Sequence, residues 1–294
     1  MAVAELRASP ARGSRGDLRT RLGVAAVGVP LSAAVVWAGG ALFAVGLGLL
    51  AAVGYWEYAA MYRGSPRPLV ALGTVAAGIL PVVVLYAGSS GAWILTAVFL
   101  MVAGAYGTAR VPISDGPVAA AGLTVFGALY VGGLLSFGVP LREGPLAGFP
   151  GIYGDRVGAT LLFFFPVVVT WLADTAAYFG GRTLGRRKLA PRVSPNKTVA
   201  GAVAALSAGP LVALAYGAVL LPGGWRLTPA RAAAFGLIVA LLAIVGDLVE
   251  SALKRERAVK DSSRLLPGHG GLLDRLDSIL WALPAAYFFF QTVG

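Results

Sequence analysis

Between Ser251 and Asp277 the chain concentrates the side chains that could do chemistry. The run reads Ser251-Ala252-Leu253-Lys254-Arg255, then Lys260-Asp261, then the turn Pro267-Gly268-His269-Gly270-Gly271, then Asp274-Arg275-Leu276-Asp277. His269 is the only histidine in the chain, and there is no cysteine. Just upstream, Asp247 and Glu250 stand three apart, which places them on one helix face, and Asp274 and Asp277 repeat that spacing. Asp174 interrupts the apolar run Trp171-Leu172-Ala173-Asp174-Thr175. Two basic stretches lie between, Arg182-Thr183-Leu184-Gly185-Arg186-Arg187-Lys188 and Ser194-Pro195-Asn196-Lys197-Thr198. Several carboxylates with one histidine and no thiol suit Mg²⁺ rather than Zn²⁺. A polar turn that opens a helix, with a lysine beside it and Ser194 or Thr198 placed to cap, suits an anion. The glycine turn gives a backbone that a ligand could approach closely.

Each of these features also has an ordinary explanation. Acids near a membrane boundary cap helices or pair with arginine, basic loops are solvated, and His269 could be turn filler. Asp247, Asp274 and Asp277 together are harder to dismiss, because acids within a membrane are costly unless paired and usually mark function. Joined, the parts suggest metal-assisted phosphoryl or nucleotidyl transfer at a membrane surface.

The elements that position these residues are written in the composition. The chain is 57% hydrophobic and 13% charged, with mean hydropathy +0.78, against about 25% charged for a soluble domain. It reads as an integral membrane protein of many spans. The absence of cysteine excludes a disulfide framework, thiolate ligands and a cysteine nucleophile. A net charge of +11 would suggest nucleic acid in a soluble protein. Here it is better read as arginines and lysines flanking spans, and no nucleic-acid partner is expected.

Continuously apolar segments fall at about 23–38, 40–60, 68–87, 91–108, 117–139, 157–180, 198–221, 231–250 and 272–291. The expected fold is therefore all-α and polytopic, with about nine transmembrane helices, since the runs lack the alternation of barrel strands. Pro30, Pro81, Pro166, Pro210 and Pro284 fall inside spans as tolerated kinks. The expected organisation is a disordered basic cytoplasmic tail at 1–21, N-terminal spans at 22–150, and a catalytic membrane region at 151–294. A signal peptide is the alternative for the first apolar run, but no clear small-x-small cleavage site follows it. With the N-terminus inside and the C-terminus outside, the cytoplasmic segments and Arg275 hold 20 of the 24 Lys and Arg residues. That layout puts loops 181–197 and 251–271 on one face. At 1.5 Å per residue, Asp247 and Asp174 come out roughly 24 and 26 Å across a core of about 30 Å. Asp274 starts its helix at that same boundary.

The run from Ser251 to Asp277 resembles the motif of the phosphatidate cytidylyltransferase (CDP-diacylglycerol synthase) family: Ser-x-Leu-Lys-Arg, four residues, Lys-Asp, then Leu-Pro-x-His-Gly-Gly-x-x-Asp-Arg-x-Asp. Asp174–Gly181 and Ser194–Thr198 also resemble family segments, and the resemblance is firm over about 170–285. It implies transfer of the cytidylyl group of CTP to phosphatidate, giving CDP-diacylglycerol and pyrophosphate in phospholipid biosynthesis. It implies Mg²⁺, room for a second, monovalent cation, a homodimer, and an active site on the cytoplasmic face of the cell's inner membrane. On this resemblance Asp247, Asp274 and Asp277 surround the metal, with Lys260 and Asp261 as further catalytic candidates. Ser194, Asn196, Lys197, Thr198, Lys254, Arg255, His269, Arg275 and Asp174 are the substrate-binding candidates. Two rivals stand beside it. A CTP-dependent lipid alcohol kinase of the dolichol or phytol type would release CDP and need a base for its alcohol. An ion-coupled transporter would favour midplane acids and inverted repeats, and no repeat is visible here.

Overall fold

The computed structural model describes residues 15–62, 64–144, 155–221, 227–263, 265 and 270–293. Apart from connecting loops, these residues are helical except for one small hairpin. In order, α1 is Arg15–Ala38, α2 Gly40–Ala60 and α3 Val70–Arg110. Then α4 (Pro117–Ala128), a π-helical turn (Leu129–Gly133), α5 (Leu134–Ser136) and α6 (Gly138–Glu143) form one nearly continuous run. The C-terminal part holds α7 (Asp155–Leu184), β1 (Lys188–Ala190), β2 (Ser194–Thr198), α8 (Val199–Leu220), α9 (Pro229–Glu256) and α10 (Leu273–Val293). The basic stretch 1–21 is thus not all tail, because α1 begins at Arg15.

Every expected apolar segment forms helix, and all five prolines sit within helices. Six helices among the described residues are long and apolar enough to cross a membrane: α2, α3, the Pro117–Glu143 run, α7, α8 and α9. The apolar part of α1, Ala26–Ala38, is shorter, and α10 carries Asp274, Arg275 and Asp277 near its start. α3 covers two of the expected segments. A straight helix of 41 residues would run about 60 Å, twice a bilayer core. Instead Gly88 breaks it with φ 59° and ψ −158°, which favours glycine. Its two ends lie close together. Leu69 N–H donates to Thr124 Oγ1 at 2.7 Å at one end, and Gly107 packs on Pro117 at the other. Pro66, before the helix, also neighbours Gly116, after it. The run therefore goes out and comes back.

α7, α8, α9 and α10 pack as neighbours, and α2, α3 and α4 form a second group. Small residues let the axes approach: Gly209 of α8 faces Gly236 of α9 backbone to backbone. α10 touches α2, α5 and α6 as well as α7 and α9, so it joins the two groups. Aromatic rings fill the C-terminal group, with Phe165 stacked 4.6 Å from Tyr216 and tilted 4.4 Å from Phe235, and Phe43 of α2 meets Phe163 of α7 edge-on at 5.0 Å across the seam. The polar stretch before α8, expected as a turn, is a β-strand. β2 pairs antiparallel with β1, Lys188 opposite Thr198 and Ala190 opposite Ser194. Thr198 then caps α8, its Oγ1 accepting from Gly201 N–H at 3.1 Å.

Candidate active site

The acid cluster forms where the C-terminal part of α9 crosses the first turns of α10. Asp247 and Glu250 share a face of α9, and Asp277 projects from α10 towards them. One oxygen from each lies within 4.8 Å of the others. The helices come this close because position 246 has no side chain. A Cβ on Gly246 would sit 2.7 Å from the backbone oxygen of Asp277 and 2.5 Å from Trp281 Cδ1.

Two lysines answer these charges. Lys197 Nζ on β2 is 2.5 Å from Asp247 Oδ2. Lys254, one turn beyond Glu250 on α9, lies 2.5 Å from Glu250 Oε2 and 2.7 Å from Asp274 Oδ1. Glu250 is fully buried, and neither of its oxygens accepts a hydrogen bond of ordinary geometry. A buried carboxylate so placed, beside two more, calls for positive charge. The donor set is hard oxygen only, and at least one member has coordination capacity to spare, which fits Mg²⁺.

A cavity of about 720 Å³ opens beside the cluster. Its walls come from α7 (Asp174, Tyr178, Arg182), β2 (Asn196, Lys197, Thr198), α8, α9 (Asp247) and α10 (Asp274, Arg275, Asp277, Ser278). That volume lies within the usual range for a small-molecule site. Its lining mixes the acids Asp174, Asp247, Asp274 and Asp277 with Lys197, Arg182 and Arg275, which suits an anionic ligand that brings a cation with it.

The sequence-predicted residues are distributed unequally over this site. Asp174, Asp247, Asp274, Asp277, Asn196, Lys197, Thr198 and Arg275 line the cavity together. Asp274 differs from the other acids. Its carboxylate takes Lys254, Ser262 N–H at 2.9 Å and Gly271 N–H at 2.9 Å, so it fastens the loop before α10. The tight cluster has Glu250 in its place. Lys254 joins the cluster to Asp274 rather than lining the cavity. Ser194 stays in the hairpin ladder, opposite Ala190. Arg255 is exposed and donates to Val259 O at 2.9 Å. Lys260 and Asp261 are exposed and away from the cavity wall. His269 lies outside the described residues.

Some participants escaped the sequence reading. Glu250 is visible as the partner of Asp247 by spacing, but spacing alone does not make it a member of the cluster. Tyr178 lines the cavity and accepts from Arg182 Nη1 at 2.9 Å, yet a tyrosine in an apolar helix gives no signal by itself. Glu57 on α2 is fully buried and contacts the loop before α10. A lone acid in an otherwise uncharged span was the clue to it.

Fold and site together define a multi-pass helical membrane protein with an acid cluster and a cation-rimmed cavity at one end of its helices. The chain belongs to the cytidylyltransferase family, whose family model matches residues 19–293. It is similar to a phosphatidate cytidylyltransferase of Brucella suis biovar 1 (strain 1330), 48% identical over 134 residues, 44% of this chain and 46% of that protein. It is similar to a phosphatidate cytidylyltransferase of Bacillus subtilis (strain 168), 38% identical over 168 residues, 57% of each chain. The phosphatidate cytidylyltransferase 4, chloroplastic, of Arabidopsis thaliana is 32% identical over 290 residues, 90% of this chain and 71% of that protein. The aligned stretch thus spans about half the length of the two bacterial relatives.

Proposed function

We propose that this chain transfers the cytidylyl group of CTP to phosphatidate, releasing pyrophosphate and leaving CDP-diacylglycerol in the membrane. The observation that carries this is the trio Asp247, Glu250 and Asp277, with Lys197 and Lys254 against it, beside a cavity at the polar end of apolar helices. Family membership and the names of the relatives support it.

The chemistry follows from the charges. An oxygen of the phosphatidate phosphate attacks the α-phosphorus of CTP in line. The bond from that phosphorus to the oxygen bridging towards the β-phosphate breaks, and pyrophosphate leaves with its electron pair. The attacking oxygen is already ionised at neutral pH, so no strong general base is required. What remains is to offset repulsion between two anions and to align them. Lys197 and Arg275, on the cavity wall, are placed to take phosphate charge, and Arg182 lines its α7 side. Asp247 and Asp277, with Glu250 behind them, would hold Mg²⁺, and Asp274 stands next to them through Lys254. Bound there, Mg²⁺ supplies charge neutralisation on the phosphates and a fixed template for them. A second, monovalent cation is part of the same proposal.

The proposed topology has nine spans, with the N-terminus inside the cell and the C-terminus outside. The reversal of α3 at Gly88 supports counting it twice. The six long apolar helices, that second crossing, α1 and α10 then make nine. The bias of lysine and arginine supports placing both charged loops, and with them the site, on the cytoplasmic face of the inner membrane. A homodimer is proposed on the family resemblance, and cross-linking in the membrane tests it.

The deciding experiment uses purified protein, phosphatidate in mixed micelles, Mg²⁺ and CTP labelled at the α-phosphorus. Label recovered in lipid, with pyrophosphate released, is the expected result. Label left in soluble CDP, with phosphate on an added lipid alcohol, would replace this reading with the kinase. No turnover with any lipid would remove the enzyme reading.

A further inference from the structure

In α2 a single charged residue, Glu57, sits in a 21-residue apolar helix. It is fully buried, a position a carboxylate holds only if donors satisfy it. Four do. Ser263 Oγ donates at 2.5 Å and Leu272 N–H at 2.9 Å to one oxygen. Leu273 N–H donates at 2.7 Å to the other, and Ser262 Oγ lies 3.1 Å from it. Leu272 and Leu273 are the last loop residue and the first residue of α10. Their amides belong to the set that a helix start leaves without internal partners. A carboxylate from another helix supplies what a local cap usually supplies, at the end where negative charge is favoured.

The same carboxylate explains the last glycine of the turn. A Cβ on Gly271 would sit 2.8 Å from Glu57 Oε2 and would run into Ser262 Oγ. The close approach that glycine permits is made by the protein itself. Ser262 closes the circuit, since its hydroxyl lies 3.0 Å from Asp274 Oδ2 while its N–H donates to the same acid. One turn along α10 stands Asp277. Beyond Glu57 on α2, Tyr62 carries Arg257 from the end of α9 over its ring at 3.9 Å.

We propose that Glu57 is a positioning residue of the active site. As an interhelical cap, it fixes Ser262, Ser263, Leu272 and the first turn of α10, and through them Asp274 and Asp277. It ties the N-terminal helices to the acid cluster, so those spans are part of the machinery rather than an anchor for it. The consequence for turnover rests on the proposed reaction, whereas the cap itself does not.

The test uses the full-length protein in detergent, comparing wild type with E57Q, E57D and G271A. Glutamine keeps the shape but has one accepting oxygen, and its NH₂ meets one backbone N–H and one serine hydroxyl whichever oxygen it replaces. Amide exchange at Leu272 and Leu273 is expected to rise at least tenfold in E57Q and less in E57D, while α7 and α8 keep their protection. The transfer rate is expected to fall about 10–100-fold in E57Q with the midpoint of thermal unfolding little changed, and E57D recovers part of it. Unchanged exchange in E57Q would overturn the cap. Raised exchange with a rate within twofold of wild type would overturn the positioning role. If E57Q does not fold, G271A, which pushes on Glu57 and Ser262 from the other side, is expected to raise the same exchange, and its failure to do so would overturn the cap. If wild type transfers no cytidylyl group, the proposed reaction falls, and exchange alone still decides the cap.

Discussion

Replacing Gly246 with alanine would displace the acid cluster without removing an acid. The added Cβ meets the backbone oxygen of Asp277 at 2.7 Å. Ordinary contact begins near 3.5 Å, so α10 must retreat by roughly 0.8 Å, because a backbone oxygen cannot swing aside. Trp281 at 2.5 Å adds to the push. Overpacking of this kind costs about 1–3 kcal/mol, and alanine recovers up to about 1 kcal/mol of helix propensity. The protein therefore folds, with a small change in thermal midpoint. The rate is another matter, since a shift of about 1 Å at a reacting centre can cost about 10²-fold. A fall of about 10–100-fold in kcat is expected for G246A in the labelled-CTP assay. G104A and G122A, where a Cβ meets nothing within 4 Å, are expected to match wild type. A G246A rate within twofold of wild type would refute the claim that α9 and α10 must touch here for Asp247 and Asp277 to act together.

Other expectations are more direct. D247N and D277N should each lower kcat by about 10²–10³-fold. The thermal midpoint of D277N should hold or rise, because it relieves repulsion between neighbouring carboxylates, whereas D247N also loses its pair with Lys197 and should gain less; a fall in stability of D277N without loss of rate would contradict the cluster's role. K254M leaves Glu250 and Asp274 without their shared lysine and should destabilise by about 3–5 kcal/mol. E250Q in the same chain should restore part of that, which calorimetry of the double variant would detect as coupling. The chain has no cysteine, so S114C and S89C report topology singly in a maleimide-labelling assay on intact cells and inverted vesicles. Ser114 should label from the cytoplasmic face and Ser89 from the other, and labelling of both from one face would cancel the two crossings assigned to α3.

The spans were legible because a membrane removes alternatives: twenty apolar residues without water to bind their amides become helix. The break at Gly88 was legible as the gap in apolar character around Gly88-Ser89-Ser90, although hydrogen-bond pattern alone runs the two helices together. The carboxylate spacing put Asp247 and Glu250 on one face of a helix, and depth reasoning grouped Asp174, Asp247 and Asp274, which line one cavity. What could not be read was division of labour among equal residue types. Asp274 and Asp277 look alike in sequence, but Asp274 meets the loop amides and Lys254 while Asp277 faces α9. Ser194–Thr198 could not be seen as a strand because its partner, Lys188–Ala190, is only three residues long. Glu57 was hidden for a simpler reason: its partners are more than 200 positions away.

That separation bears on how the site holds together. Lys254 is one cation shared by two acids, Glu250 behind the cluster and Asp274 at the loop. Asp274 shares Ser262 with Glu57. The line from α9 to α2 is therefore Glu250, Lys254, Asp274, Ser262, Glu57, joined by two ion pairs at Lys254 and then by Ser262, whose N–H donates to Asp274 and whose hydroxyl lies against Glu57. Three of its members are acids and only one is a base, so the line carries excess negative charge in an environment that penalises it. Amides of the loop and of α10 offset that excess, and they are available only if the loop lies where it does. Loop position and acid position are thus not independent. Any change that frees the loop also leaves buried carboxylates undersupplied with donors, and the acids must then move or take up protons. A cluster that must hold its charges still for phosphoryl chemistry has reason to be fastened at both ends, by Lys197 on the hairpin side and by Glu57 on the other.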